Sequence, residues 1–197
     1  MIGAPPRDPA PLLAQTLDQW MRSDGDLWIF GYASLIWRPD LPFVEQRSAR
    51  IFGWHRALQM WSRVNRGTPE CPGLVFALLS GGSCQGLVFR IPKTQGAQEL
   101  TRLWQREMPL AVYDPRWLHC HTPQGMVHAL GFTLSRRSAS HTGVLSDADY
   151  ARIFAQARGI YGSTRDYAET THAQLLRMGI HDHALARILQ AAGTIRS

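Results

Sequence analysis

The sequence predicts an α+β fold. Apolar runs of strand length occupy the chain up to about residue 134, and helix-capping signals followed by 3.6-residue periodicity occupy the remainder. Size bounds the organisation: 197 residues, 45% of them hydrophobic, suffice for one substantial core but not for two comfortable ones. The expectation is therefore an N-terminal arm with a short helix over residues 1–26 and a single domain over 27–197.

Residues 1 to about 10 are Pro-rich and are expected to be disordered, whereas Leu12, Leu13, Leu17, Trp20 and Met21 recur at helical spacing before the turn Ser23-Asp24-Gly25-Asp26. Leu27 to Phe30 reads as a buried strand that stops at Gly31. Further strands are expected over Arg50–Met60, Gly73–Leu79, Gly86–Ile91, Trp117–His121 and Val127–Leu134, with Gly81-Gly82 as a hairpin turn and Pro92 closing a strand. Ser146-x-x-Asp149 and Ser163-x-x-Asp166 have the form of capping boxes. The first opens a helix with Tyr150, Ile153, Phe154 and Ala157 on one face, and Leu185, Ile188 and Leu189 mark a last helix after Asp182.

One helical segment, Gln95 to Met108, carries an unusual residue. Leu100, Leu103, Trp104 and Glu107 fall at i, i+3, i+4 and i+7, so an acid occupies the apolar stripe, and Pro109 stops the helix just beyond it. Burial and the negative end of the helix dipole both disfavour a carboxylate there and raise its pKa towards the range where it can take and return a proton. Three roles fit: an ion pair with Arg102, Arg106 or a distant arginine, a place at the rim of the helix where it meets water, or an acid/base.

Gly31-Tyr32-Ala33-Ser34-Leu35-Ile36-Trp37 follows the first strand with small residues that let backbone N–H groups approach an anion closely. An ordinary strand-to-loop turn fits the same residues. Ser34 has no sequence-linked base that would make it a nucleophile. His119-Cys120-His121 and His181-Asp182-His183 have metal-ligand spacing without a complete ligand set; the first is expected to alternate along a strand, the second to begin a helix. No metal and no cofactor is expected, since the chain also lacks a P-loop and a G-x-G-x-x-G turn.

The net charge of +6 comes from scattered arginines, with Arg136-Arg137 the one adjacent basic pair, so no stripe for nucleic acid is laid out. Three cysteines without C-x-x-C spacing argue against a disulfide framework or zinc knuckle. No run of about 18 apolar residues exists to span a membrane, and no basic n-region followed by an apolar run opens the chain. A cytoplasmic protein that binds a small molecule, not nucleic acid or membrane, is expected; the sequence is silent on oligomeric state.

Phe30-Gly31-Tyr32-Ala33-Ser34-Leu35-Ile36-Trp37 resembles the F-G-Y-G-S-L-I-W signature of the ChaC-type γ-glutamylcyclotransferases, bacterial branch. Gly53-Trp54-His55-Arg56-Ala57, Arg66-Gly67-Thr68, Pro72-Gly73, the run Gly86 to Pro92, the run Leu103 to Met108, Tyr113-x-Pro115-x-Trp117 and Gly162-Ser163-x-x-Asp166-Tyr167 resemble that family in the same order. The resemblance covers about residues 28–190 and leaves the arm unexplained. It implies a small mixed or antiparallel β-barrel surrounded by helices, and cleavage of glutathione to 5-oxoproline and Cys-Gly. It further implies Glu107 as general acid/base and the backbone of Gly31, Tyr32, Ala33, Ser34, Leu35 and Ile36 as the γ-glutamyl site. Arg56, Tyr113 and Tyr167 are further candidate substrate contacts, although Tyr167 shares a helical stripe with Thr171, Leu175 and Met178, as a core tyrosine would. Two departures stand out: Ala33 where the signature often has Gly, and no Gly between Met108 and Tyr113. Another γ-glutamyl amine as substrate, or a non-catalytic binding or regulatory module, are the rival expectations.

Overall fold

A computed structural model describes residues 7–193 of the chain. The elements in order are α1 (Pro9–Met21), β1 (Leu27–Gly31), α2 (Ser34–Trp37), β2 (Glu45–Ser62), β3 (Gly73–Ile91), α3 (Lys93–Glu107), β4 (Asp114–Thr122), β5 (Gly125–Thr133), α4 (Asp147–Gln156), β6 (Arg158–Gly159), β7 (Gly162–Ser163), α5 (Thr164–Arg177) and α6 (His183–Ala191). Strands β1-β3-β2-β4-β5 form a closed barrel, as the family resemblance implies. β1 runs antiparallel to β3 from Leu27 opposite Ile91 to Gly31 opposite Leu87, and β4 runs antiparallel to β5 from Asp114 opposite Thr133 to Thr122 opposite Gly125. The parallel pairing of Ile29 in β1 with Leu130 in β5 closes the ring, and a further parallel pairing joins Leu78 of β3 to Thr133 of β5; these two parallel pairings make the sheet mixed.

The described residues group into two compact units. One holds residues up to His55 together with Leu78–Ser138; the other holds Arg56–Ala77 and the residues from Ala139 onward. The first contains the barrel register, α1, α2 and α3. Its core is Leu27, Ile29, Phe30, Ile51, Val88, Phe89, Leu100, Leu103, Trp104, Leu130 and Phe132, all buried. The second packs α4, α5 and α6 around Leu74, Phe76, Tyr150, Ile153, Phe154, Tyr167, Leu175 and Leu189. Both predicted capping boxes form, with Ser146 and Ser163 accepting from the N3 amides and Asp149 and Asp166 reaching back. β2 and β3 each supply residues to both units, so the grouping does not decide the reading of one domain over 27–197.

Two local expectations are corrected. Gly81 and Gly82 have positive φ (97° and 71°), yet the chain does not reverse there: they bend a continuous 19-residue strand, and His55 Nδ1 lies 2.8 Å from the Gly81 carbonyl oxygen. The expectation of disorder to about residue 10 is also corrected at residues 7–10. Residues 1–6 lie outside the described part, but Asp8 accepts from the Ala10 amide and Pro9 opens α1, where its preset φ suits the first helical position. Along β4 the side chains alternate: His119 and His121 are exposed and Cys120 is buried, while Asp182 caps α6 as expected. Burial pushes the Cys120 thiol up to about 12, which leaves it inert.

Candidate functional site

Helix α3 follows the periodicity read from the sequence. Leu100, Leu103 and Trp104 are buried against the barrel, and Glu107 ends the helix with its side chain 17% exposed. Burial raises the Glu107 carboxyl above its ordinary range, and the Arg106 guanidinium, with Nε 3.2 Å from Glu107 Oε1, pulls partly the other way.

Arg106 does more than pair. Its Nη1 donates to the carbonyls of Arg38 (2.9 Å) and Pro39 (3.2 Å) and to Asp40 Oδ2 (3.3 Å), and its Nη2 donates to Ser34 Oγ (3.4 Å). One planar guanidinium therefore ties the Glu107 carboxyl to the turn after β1. Sequence reasoning named Arg106 only as a possible ion-pair partner. Its position next to Glu107 was the available signal, and its reach to Ser34 depends on the fold.

The turn itself starts where β1 meets β3. A Cβ at Gly31 would lie 2.9 Å from the Phe89 ring and 3.0 Å from Leu35 Cβ, so a larger residue would push the turn off the barrel. Ala33 has φ −143°, so a side chain fits without the left-handed conformation that would demand Gly. Tyr32, Ala33, Leu35 and Ile36 are buried and Ser34 is half-buried. The Tyr32 hydroxyl donates to the Phe132 carbonyl at 3.2 Å, and the Tyr113 ring packs on Phe132 with centroids 6.3 Å apart. Phe132 thus has Tyr32, Tyr113 and Trp104 around it, the last at 5.9 Å.

The structure brings Glu107, the residues Gly31 to Ile36 and Tyr113 into the barrel unit. Arg56 and Tyr167 belong to the other unit, where each has partners of its own. Arg56 Nη1 pairs with Asp182 Oδ2 at 2.6 Å, with the arginine side chain only 4% exposed. The Tyr167 ring packs on Phe76 (5.4 Å) and beneath Arg66 (4.8 Å), the core role that its stripe anticipated. A cleft of about 490 Å³ is lined by Asp40, Leu41, Arg102 and Arg106 among others, but neither Glu107 nor residues 31–36 line it. Arg106, not a shared cavity wall, is what links carboxyl and turn.

The N-terminal arm also reaches this end of the barrel. Arg7 Nε and Nη2 donate to the Ala111 carbonyl (2.9 and 2.6 Å), Nη2 also to the carbonyls of Val112 (3.3 Å) and Tyr113 (2.8 Å), and Nη1 to Asp114 Oδ1 (2.7 Å). Ala111 has φ +47° in the segment where the sequence lacks a Gly.

Among the described residues, no group of three or more His, Cys, Asp or Glu is placed to hold a metal, and no helix is long and apolar enough to cross a membrane. The chain is 35% identical over 167 residues to a glutathione-specific γ-glutamylcyclotransferase of Escherichia coli K12, covering 84% of this chain and 72% of that one. It is 29% identical over 187 residues to the human glutathione-specific γ-glutamylcyclotransferase 1, covering 90% and 84%. In fold it is similar to the crystal structure of a yeast γ-glutamyl cyclotransferase specific to glutathione, with TM-score 0.78 at 20% identity over 88% of this chain and 98% of that one. With residues 27–194 matching the family described as ChaC-like protein, the chain belongs to that family.

Proposed function

We propose that the chain is a glutathione-specific γ-glutamylcyclotransferase that releases 5-oxoproline and Cys-Gly, with Glu107 as its proton-handling group. Supporting this reading are the names of the relatives and, in the molecule itself, a protected carboxyl at the end of α3 that Arg106 joins to the turn Gly31–Ile36. In a γ-glutamyl amide the α-amine reaches its own γ-carbonyl, so the reaction needs neither water nor an enzyme nucleophile. Holding the folded-back conformer draws on an effective molarity of about 10⁵–10⁸ M.

The ionised Glu107 takes a proton from the α-ammonium, and the freed amine attacks the γ-carbon. As the C–N bond to the cysteine nitrogen breaks, that nitrogen is protonated by Glu107. Two protons pass in all from the α-nitrogen to the leaving nitrogen, so the carboxylate ends as it began. A raised pKa suits this, because it makes the carboxylate a stronger base for an ammonium proton. Backbone amides of the Gly31–Ile36 turn hold the negative charge of the substrate, except that of Ile36, which donates to the Ala33 carbonyl at 2.9 Å, and Tyr113 borders the same end of the barrel. Three free cysteines fit the reducing cytoplasm in which glutathione is abundant.

Glu107→Gln keeps the shape and removes the proton transfer. We expect it to lower 5-oxoproline release from glutathione by at least about 10²-fold with an unchanged circular-dichroism spectrum. Wild-type turnover in the folded variant would remove Glu107 from the mechanism. Wild-type activity on γ-glutamyl amino acids equal to that on glutathione would remove the substrate assignment.

A further inference from the structure

Residues 1–26 lie outside the span that matches the family, yet part of this arm is built into the barrel unit. Trp20 of α1 is buried and lies where a side chain at Gly96 of α3 would be; Trp104 Nε1 donates to the Pro9 carbonyl at 3.0 Å, and Trp117 Nε1 to Gln19 Oε1 at 3.1 Å. Helix α1 is thus fixed on α3 and β4, and just before it stands Arg7, whose three nitrogens all bond to the segment Ala111–Asp114.

That segment is short and strained at one point. It overlaps the loop 108–112 that joins Glu107 to Tyr113, and in both Ala111 is buried with a left-handed backbone, a conformation that a residue with a Cβ resists. The Ala111 amide donates to the Met108 carbonyl at 3.1 Å, which makes the turn, and the Ala111 carbonyl receives two of the Arg7 bonds. Arg7 thus bonds to the carbonyl of the residue of the turn that has the left-handed backbone.

We propose that Arg7 is a positioning residue for cyclotransfer: it straps the Ala111 turn in its left-handed form and so fixes Tyr113 relative to Glu107. The inference rests on the proposed role of Glu107. Its geometry also dictates which substitutions mimic or replace it. Lysine keeps the charge beside Asp114 but not a planar fork for three carbonyls. Glycine at position 111 adopts the left-handed backbone unaided.

The test compares Arg7→Ala, Arg7→Lys and the double variant Arg7→Ala with Ala111→Gly by hydrogen exchange and by steady-state kinetics on glutathione. Arg7→Ala is expected to speed amide exchange over residues 108–114 by about 10-fold or more and to lower kcat by about 10-fold with KM little changed, less than the ~10²-fold that a 1 Å misplacement can cost. Arg7→Lys should behave like Arg7→Ala, and adding Ala111→Gly should recover most of the lost kcat. Unchanged exchange in Arg7→Ala overturns the strap whatever the activity. Faster exchange with wild-type kcat, or full rescue by lysine, overturns the positioning role. If the wild type releases no 5-oxoproline, the functional reading fails, while the exchange comparison still decides the strap.

Discussion

Glu107 carries a standing cost in the folded chain, and its sign can be worked out. Burial raises the folded-state pKa above the ordinary value of 4.5, with Arg106 only partly offsetting it, so the native state binds the proton more tightly than the unfolded chain. Wherever the native state holds more protons, stability falls as pH rises. The loss begins near the unfolded pKa and is complete once pH passes the folded one. Glutamine cannot ionise, and Arg106 keeps Asp40, Ser34 and two carbonyls as acceptors when the carboxylate is gone. Glu107→Gln is therefore expected to match the wild type in Tm near pH 4 and to exceed it at pH 8. Thermal melts across that range check this, and a variant less stable than wild type at pH 8 would show that the Arg106 pair outweighs the desolvation. Such a gain on removing the carboxylate proposed to handle the proton would be the usual trade between activity and stability. The residue was legible in the sequence because an acid on an apolar helical stripe is conspicuous. Arg106 and Arg7 were not, because their partners lie 72 and 104 positions away in the chain.

At the level of elements, Gly96 tests how α1 sits on α3. Glycine inside a helix costs roughly 0.5–1 kcal/mol relative to alanine, so Gly→Ala usually stabilises. Here a Cβ would overlap the Trp20 indole, a rigid buried group that cannot step aside as a flexible chain end would. Gly96→Ala is expected to lower Tm in spite of its better propensity, and Gly96→Ala with Trp20→Leu to regain part of the loss. A simple rise in Tm for the single variant would mean that α1 is not held where the structure puts it. Helices were readable from sequence because periodicity and caps are local: Ser146, Ser163 and Asp182 all cap as their spacing suggested. The bend of β3 was not. Gly81-Gly82 supplies the same left-handed freedom to a hairpin and to a strand that bends, and only the pairing partners choose between them.

For the molecule as a whole, barrel closure depends on the pairing of Ile29 with Leu130, which leaves no periodic trace in the sequence; the family resemblance implied a barrel but not which strands close it. The grouping into two units was equally illegible, since two of its three boundaries fall inside β2 and β3 and only the one after Ser138 falls in a loop. The second unit contains Arg56, which the resemblance marks as a candidate substrate contact and the structure supplies with Asp182. That aspartate does two things at once: Oδ1 accepts from the Leu185 amide at 3.0 Å and caps α6, and Oδ2 pairs with the buried Arg56. Losing a cap costs about 0.5–2 kcal/mol, whereas breaking a buried ion pair on one side costs about 3–5 kcal/mol. Asp182→Asn retains a capping oxygen and loses the charge; Asp182→Ala loses both. We expect the alanine variant to lose about 3–5 kcal/mol by urea unfolding and the asparagine variant only slightly less, which would assign most of the effect to the pair. The accompanying kinetics separate the two roles of Arg56. If its work is to anchor α6, both variants keep the wild-type KM for glutathione while folded. If the guanidinium also binds the substrate, loss of its charge partner reorients it, and KM rises in Asp182→Asn even where stability is restored by adding an osmolyte.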